Sequence, residues 1–413
     1  MTTTPTHDPL AVVRIPEFRR FMTGRFLFIM GLRMLGTLVG WWMYELTNDP
    51  LALGMIGLAE VIPAVSMALY AGHVVDRNDR RNMVLRSAVL YSFCVLLLLG
   101  FAVSFYHNIS SKTLTVTGIY TIIFTTGIIR AFSGPSFGAI LSQLVPHSLL
   151  ANATTWSQGT WLTASVTGHA LAGFLIAGTG ISGTLLIILL LVGSSLLLFR
   201  SIDKKPPPPS TEQRTWESVK EGLRFVWTTK ELLAALTLDL FAVLFGGAVA
   251  LVPVFAKDIL QVGPVGFGWL NAAADFGAIC SVLLLTFLPL QKKQGNILLA
   301  AVAGFGVCMI LFGLSRIFWL SFAALFVGGI LDGISIVVRG TILQLKTPNA
   351  LRGRVMSVNS MFINSSNELG QFESGLAARL LGVVPSVVFG GCMTLAVVVV
   401  TWWKSPGLRK LEY

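Results

Sequence analysis

Charge is scarce in this sequence. Asp, Glu, Lys and Arg make up 12% of its 413 residues, about half the share in an ordinary soluble domain, which excludes a globular surface facing water. Cysteine is also sparse. Cys94, Cys280, Cys308 and Cys392 each sit in an apolar segment, far apart and without C-x-x-C spacing, so they signal neither a metal site nor a disulfide framework and read as packing. The five histidines (His7, His73, His107, His147, His169) are scattered, and no Ser/His/Asp or metal-ligand spacing marks a catalytic centre. The sequence contains no G-K-[ST], hence no Walker loop; ATP is not expected as direct energy source, and no cofactor or metal is implied. Alternating ten-residue strands are missing, which argues against a β-barrel. The opening MTTTPTHDPLAVVRIPEFRR has no h-region or small-residue cleavage site of a signal peptide.

What the sequence has in abundance is apolar length. Hydrophobic residues reach 54% and mean hydropathy +0.76, and a spanning helix needs about 20 mostly apolar residues. Twelve such segments are expected, near 21-46, 51-75, 83-106, 114-141, 149-177, 181-200, 231-256, 264-290, 294-315, 317-345, 352-378 and 383-403. Of the 30 Lys and Arg, 23 fall on the side of the N-terminus and four (Lys112, Lys257, Arg316, Arg379) on the other. Three (Arg33, Arg130, Arg339) lie within spans. This positive-inside bias places both termini in the cytoplasm. The net charge of +11 then belongs to one membrane face, where it meets anionic lipid rather than nucleic acid.

The spans divide six and six. Between residues 201 and 230 the chain turns polar, with four consecutive prolines in SIDKKPPPPSTEQR forming a stiff spacer. Trp216, Val219, Leu223 and Val226 then recur at helical spacing, the pattern of an amphipathic helix on the membrane surface. This sets an N-terminal half at 1-200, a linker at 201-230 and a C-terminal half at 231-413. TGIIRAFSG at 126-134 and ILSQLVPHSLLANA at 140-153 match GGILDGISI at 328-336 and ILQLKTPNALRGRV at 342-355 at a constant offset of 202. Gly127 aligns with Gly329, and Arg130 with Asp332. Two parallel six-helix halves with substrate between them is a recurring transporter plan.

Directly after the second span, GHVVDRNDRR at 72-81 packs charge into an otherwise apolar run. Gly72, Asp76, Arg77, Arg80 and Arg81 resemble the signature of the major facilitator superfamily, a Gly, three residues, Asp-Arg and two further basic residues. The resemblance implies an all-α fold of twelve helices in two pseudo-symmetric halves, with this loop as a cytoplasmic latch against the other half. Asp79 departs from the pattern, which often has Gly there. LVPHSLLANATTWSQ at 144-158, the proline-rich linker, TPNALRGRVMSVNS at 347-360 and SNELGQFESG at 366-375 resemble the branch of enterobactin exporters and macrolide efflux proteins. His169 in GHALAG departs from a proline often found there. Arg130 to Gly134 resembles the R-x-x-x-G of the fourth helix, linked in proton-driven antiporters to proton transfer.

Charges inside spans cost about 2.5 to 3.5 kcal/mol each on the insertion scale and so demand a role or a partner. The N-half offers Arg33, Glu60 and Arg130; the C-half offers Asp239, Asp275, Asp332, Arg339, Glu368 and Glu373. Arginine does not release its proton, so Arg130 is expected to tune a neighbouring acid or hold an anionic substrate. The alternative is a permanent Arg33–Glu60 or Arg130–acid pair. In the eleventh span Ser360, Asn364, Asn367, Glu368 and Gln371 share one face and are expected to line a watery cavity; the alternative is bonding between neighbouring helices. Trp41, Trp42 and Tyr44 read as an interfacial aromatic belt; the alternative is a stack for substrate. The substrate and proton pathway is thus assigned to Arg33, Glu60, Arg130, Asp239, Asp275, Asn364, Glu368 and Gln371, and the gate to Gly72, Asp76, Arg77, Arg80 and Arg81. The reading is a proton-coupled efflux transporter of a siderophore-like or drug-like molecule, a monomer in a bacterial inner membrane. An importer or uncoupled facilitator is the alternative, a membrane enzyme or scaffold a remote one.

Overall fold

The computed structural model describes residue 8 and residues 10–204, 215–287, 293–348 and 351–411; the side chains of Leu69, Asp76 and residues 215–219 lie outside it. The linker prolines at 206–209 therefore lie outside the described residues. The architecture is all helical: α1 Pro16–Thr47, α2 Pro50–Arg77, α3 Arg80–Tyr106, α4 Lys112–Leu144, α5 Leu150–Arg200, α6 Thr215–Thr228, α7 Lys230–Gly246, α8 Gly263–Phe287, α9 Gln294–Leu314, α10 Phe318–Lys346, α11 Arg352–Leu381 and α12 Val383–Lys404. Ten of the described helical stretches are long and apolar enough to cross a membrane, one of them running over His147–Arg200. That stretch crosses twice, because Gly180, with φ +68°, breaks α5 between the two segments expected from sequence. α11 is too polar to qualify on hydropathy alone, yet it packs against α2, α7 and α12. This completes twelve.

Local rules set the ends. Asp49 caps α2 by accepting from the backbone N–H of Leu51, with Pro50 at the first helical position, while Asn48 closes α1 in the left-handed region. Asp79 caps α3 through the backbone N–H groups of Arg81 and Asn82. Its φ of −60° explains why the turn between α2 and α3 needs no glycine.

The seventh span differs from expectation. α7 stops at Gly246, and the chain continues through a 3₁₀ turn at Ala248–Leu251, the short Val252–Val254 and a π turn at Phe255–Ile259. Pro253 cannot donate to a regular ladder, and Gly247 is pressed against the backbone of Gly370 in α11. The π turn re-aims Lys257 and Asp258 towards α1.

Among the described residues the two halves pack together from mid-depth to one face. One core cluster runs from α1 to α5 into Ala248, Phe255, Phe267 and Ala273 of the second half. A separate cluster, holding Leu232, Leu236, Leu343 and Val358, belongs to the second half towards its basic face. α6 joins this second cluster through Val226, and its Glu221 pairs with Arg354 of α11. It is therefore docked on protein as well as amphipathic, with Leu223 and Trp227 left exposed.

Candidate functional site

Three charged side chains near the middle of their helices converge between the halves. Arg130 of α4 sends Nη1 to Glu60 Oε1 of α2 at 2.6 Å and to Glu368 Oε1 of α11 at 2.7 Å. Gln371, one turn along α11, donates to Glu368 Oε2 at 2.9 Å. The pair expected as an alternative, Arg33 with Glu60, is not formed; the Arg33 guanidinium instead lies 4.8 Å from the centroid of Trp161 in α5.

Glycines make this approach feasible. A Cβ on Gly127 would stand 2.5 Å from the carbonyl oxygen of Glu60 and 2.7 Å from Pro63, and one on Gly57 would stand 2.7 Å from the carbonyl oxygen of Glu368. α2 thus sits in direct backbone contact with α4 on one side and α11 on the other, which brings both acids to one guanidinium. Arg130 keeps 39% of its side chain exposed, Glu60 25% and Glu368 9%. The triad is therefore wetted from the N-half side and shielded on the C-half side.

A second polar cluster also bridges the halves. Asp275 of α8 accepts from the hydroxyl of Ser165 in α5 and lies 3.5 Å from His169 Nε2, while Thr37 of α1 meets His169 Nδ1 at 2.6 Å. Gly173 and Gly268 bring α5 and α8 into backbone contact one turn further on. Asp239 stands apart from both clusters: it is buried and paired with Arg339 inside the second half.

The gap between the halves is one-sided. From Arg130 towards the basic face, Gly134 and Gly138 of α4 and Gly159 of α5 have no atom within 4 Å of a would-be Cβ. Ser360, Asn364 and Asn367 of α11 are exposed there too. Towards the opposite face, Gly54 meets Gly375, and polar bridges add to the seal. Tyr44 donates to Asp258, Lys257 Nζ reaches Asn48 Oδ1 at 2.9 Å, and Arg379 reaches Asp49 at 3.4 Å. Trp41, Trp42 and Tyr44 are consequently buried to 8%, 3% and 4% exposure, with Trp41 on Phe267 of α8. This corrects their reading as an interfacial belt: all three are buried, and Trp41 and Tyr44 belong to the seal between halves. Sequence reasoning missed Asn48, Asp49, Lys257 and Asp258 because helix-end polar residues are ordinary. Only their pairing across the halves distinguishes them.

Of the loop residues, Arg80 Nη1 donates to the carbonyl of Ala139 at 2.9 Å and Arg81 Nη2 to that of Arg200 at 2.6 Å. Both contacts stay within the first half. Arg77 is exposed, Gly72 has nothing within 4 Å of a would-be Cβ, and the Asp76 side chain lies outside the described residues.

Twelve helices in two halves, sealed at one face and joined by an ion triad at mid-depth, are the architecture of an alternating-access transporter. The sequence profile of the transmembrane secretion effector family matches residues 7–411. The chain belongs to that family. It is 25% identical over 343 residues to the enterobactin exporter of Shigella flexneri, covering 82% of this chain and 80% of that one. The enterobactin exporter of Escherichia coli O1:K1 / APEC is 24% identical over the same length. Among solved structures, a mutant of the nucleoside transporter NupG superposes with a TM-score of 0.77 at 11% identity, covering 94% of this chain and 99% of that one. A D-xylose-proton symporter superposes with a TM-score of 0.72 at 12% identity, covering 98% and 100%. At such identities the structures establish the major facilitator fold, and with the family they make this a membrane transporter and not an enzyme.

Proposed function

We propose that this transporter exports a small organic anion from the cytoplasm of a bacterium in exchange for protons, by alternating access. The basic face is then cytoplasmic, and the structure is the state that loads cargo. The observation that carries this reading is Arg130 shared between Glu60 of its own half and Glu368 of the other.

The mechanism follows from charge. α2 and α4 are fixed to each other by the Gly127 notch, so Arg130 and Glu60 travel together while Glu368 leaves when the halves part. A carboxylate stripped of its cation inside the membrane is costly. Anionic cargo entering from the open face competes for Arg130 and takes the place of Glu368, which lets the far face open. Glu368 then picks up a proton from the far side, and cargo departs. On return, Arg130 binds the carboxylate and not the acid, so re-forming the bridge expels the proton into the cell. Asn364 and Gln371, on the same stripe of α11, and Arg33 with its Trp161 platform are assigned to cargo; Asp275 with His169 forms a second contact that must also break. One proton, with some help from a pH gradient, is nearly enough even for a neutral solute. One charge moving through 100 mV yields about 2.3 kcal/mol, against roughly 2.7 kcal/mol for a hundredfold gradient of a neutral solute, and an anion leaving a negative interior needs less.

The test uses purified protein in liposomes holding an internal pH dye, with catecholate siderophores, macrolides and cationic dyes added in turn under an imposed pH gradient. Proton flux triggered by an anionic cargo and lost in Glu368→Gln is the expected result. Cargo crossing without proton movement would make the protein a facilitator and end the coupling assignment.

A further inference from the structure

The internal repeat carries a substitution that the transport cycle leaves unexplained. Gly127 and Gly329 align, and they do the same work: Gly127 is pressed on the carbonyl of Glu60, Gly329 on that of Ala274 in α8, where a Cβ would clash. Three residues on, the first half places the Arg130 guanidinium beside the Glu60 carboxylate. The second half places Asp332 where Arg130 would be and Asp275 beside Ala274. Where one half has an acid and a base, the other has two acids, and Asp275 is close enough to act on Asp332 electrostatically. Among the described residues Asp332 makes no hydrogen bond or ion pair.

Asp332 borders a small cavity between α7, α9 and α10, with room for about 10 Å³, the space of a single water-sized occupant. Asp239 and Ser335 line it as well, with Phe305 and Leu331 closing the apolar side. The Ser335 hydroxyl, on a residue 1% exposed, has no hydrogen-bond partner. Asp239 is already neutralised by Arg339, which does not line the cavity. The site therefore combines an uncompensated negative charge, a hydroxyl oxygen without a partner, and space for one small particle. A neutral water would satisfy the hydroxyl but leave the charge; a proton on Asp332 would remove the charge but leave the space and the hydroxyl. A small monovalent cation satisfies all three at once, where a water would need a proton on Asp332 beside it, and hard cations prefer oxygen ligands of this kind.

We propose that this cavity is a sodium site in the second half, with Asp332 and Ser335 as side-chain ligands and the bound ion standing in for the guanidinium of the first half. The site is independent of which molecule the protein carries. Its test is accordingly binding rather than transport: thermal unfolding of the purified protein in detergent at fixed ionic strength, with sodium chloride exchanged stepwise for choline chloride, and with potassium chloride as a second exchange. Ligand binding to the folded state alone raises the unfolding temperature with concentration. A saturable rise with sodium, smaller with potassium, is expected in the parent protein and in Glu60→Gln. It should vanish in Asp332→Asn, and in Ser335→Ala the half-saturating concentration should rise severalfold. Equal unfolding temperatures in sodium and choline across pH 6 to 8 would overturn the proposal, and so would a sodium effect that survives Asp332→Asn in folded, monodisperse protein.

Discussion

Arg130 is the residue on which the proposed cycle turns, and its chemistry separates it from lysine. A guanidinium keeps its charge and can hold a second carboxylate while the first stays bound. Arg130→Ala should abolish substrate-driven proton flux in the liposome assay. Arg130→Lys should retain cargo binding with a lower exchange rate, since a compact ammonium on a flexible stem is less well positioned between Glu60 and Glu368. Normal accumulation ratios in Arg130→Ala would overturn its role. Asp239 makes the opposite case. Its pairing with Arg339, with both side chains under 10% exposed, is a matter of folding, and removing one partner of a buried pair costs about 3 to 5 kcal/mol. Asp239→Asn should therefore lower the unfolding temperature and folded yield, and Asp239→Leu combined with Arg339→Met should recover much of the loss. An unchanged unfolding temperature in the single variant would contradict this. The cost of intramembrane charge made all these residues legible in the sequence. It did not say which acid each arginine would take, because partners 70 and 238 positions away meet only through the packing of α2, α4 and α11.

At the scale of elements, small residues decide how closely helices approach. Gly127 and Gly57 make α2 the helix on which both its neighbours lean, whereas Gly134 and Gly138 on the same α4 face open space. Gly127→Ala should force α2 and α4 apart at an overpacking cost of about 1 to 3 kcal/mol, and should lower coupled transport by drawing Glu60 away from Arg130. Gly134→Ala should leave unfolding temperature and transport close to the parent. If thermal unfolding and flux show the two variants to be equivalent, the notch has no such role. The repeat pointed to Gly127 and Gly329 as a matched pair. What the match was for, a carbonyl of the neighbouring helix in each half, became visible only with the helices assembled. The break in the seventh span was likewise hidden: apolar residues continue through Gly246 and Pro253, so hydropathy read one helix where the backbone turns and presents Lys257 and Asp258 to α1.

For the whole molecule the question is which face is open. The seal opposite the basic face rests on glycine contacts and on the bridges from Tyr44, Asn48 and Asp49 to Asp258, Lys257 and Arg379. Partly exposed pairs of this kind contribute about 0 to 1 kcal/mol each, enough to bias an equilibrium without freezing it. Asp49→Asn with Asp258→Asn should move the population towards the state open at the opposite face, by roughly fivefold for each kcal/mol removed. In a background with the four native cysteines replaced by serine, Gly138→Cys reports the shift. Its labelling by a membrane-impermeant thiol reagent from the basic face should slow when the seal is weakened. An unchanged rate would mean that the bridges do not set the balance.

Twelve membrane crossings, the face that collects the basic residues, the repeat of two halves and the buried charges in need of a partner were all legible along the chain. Each of these depends on composition or spacing along the chain, because transfer into hydrocarbon is costed segment by segment and residue by residue. Other features emerged only once the helices were packed: that Glu60 and Glu368 share one arginine, that Trp41 and Tyr44 seal the halves, and that Asp332 borders a cavity where its counterpart is a guanidinium. Those are distances between helices. They are set by where backbone meets backbone in three dimensions, and no one-dimensional pattern encodes which of several matching faces will touch.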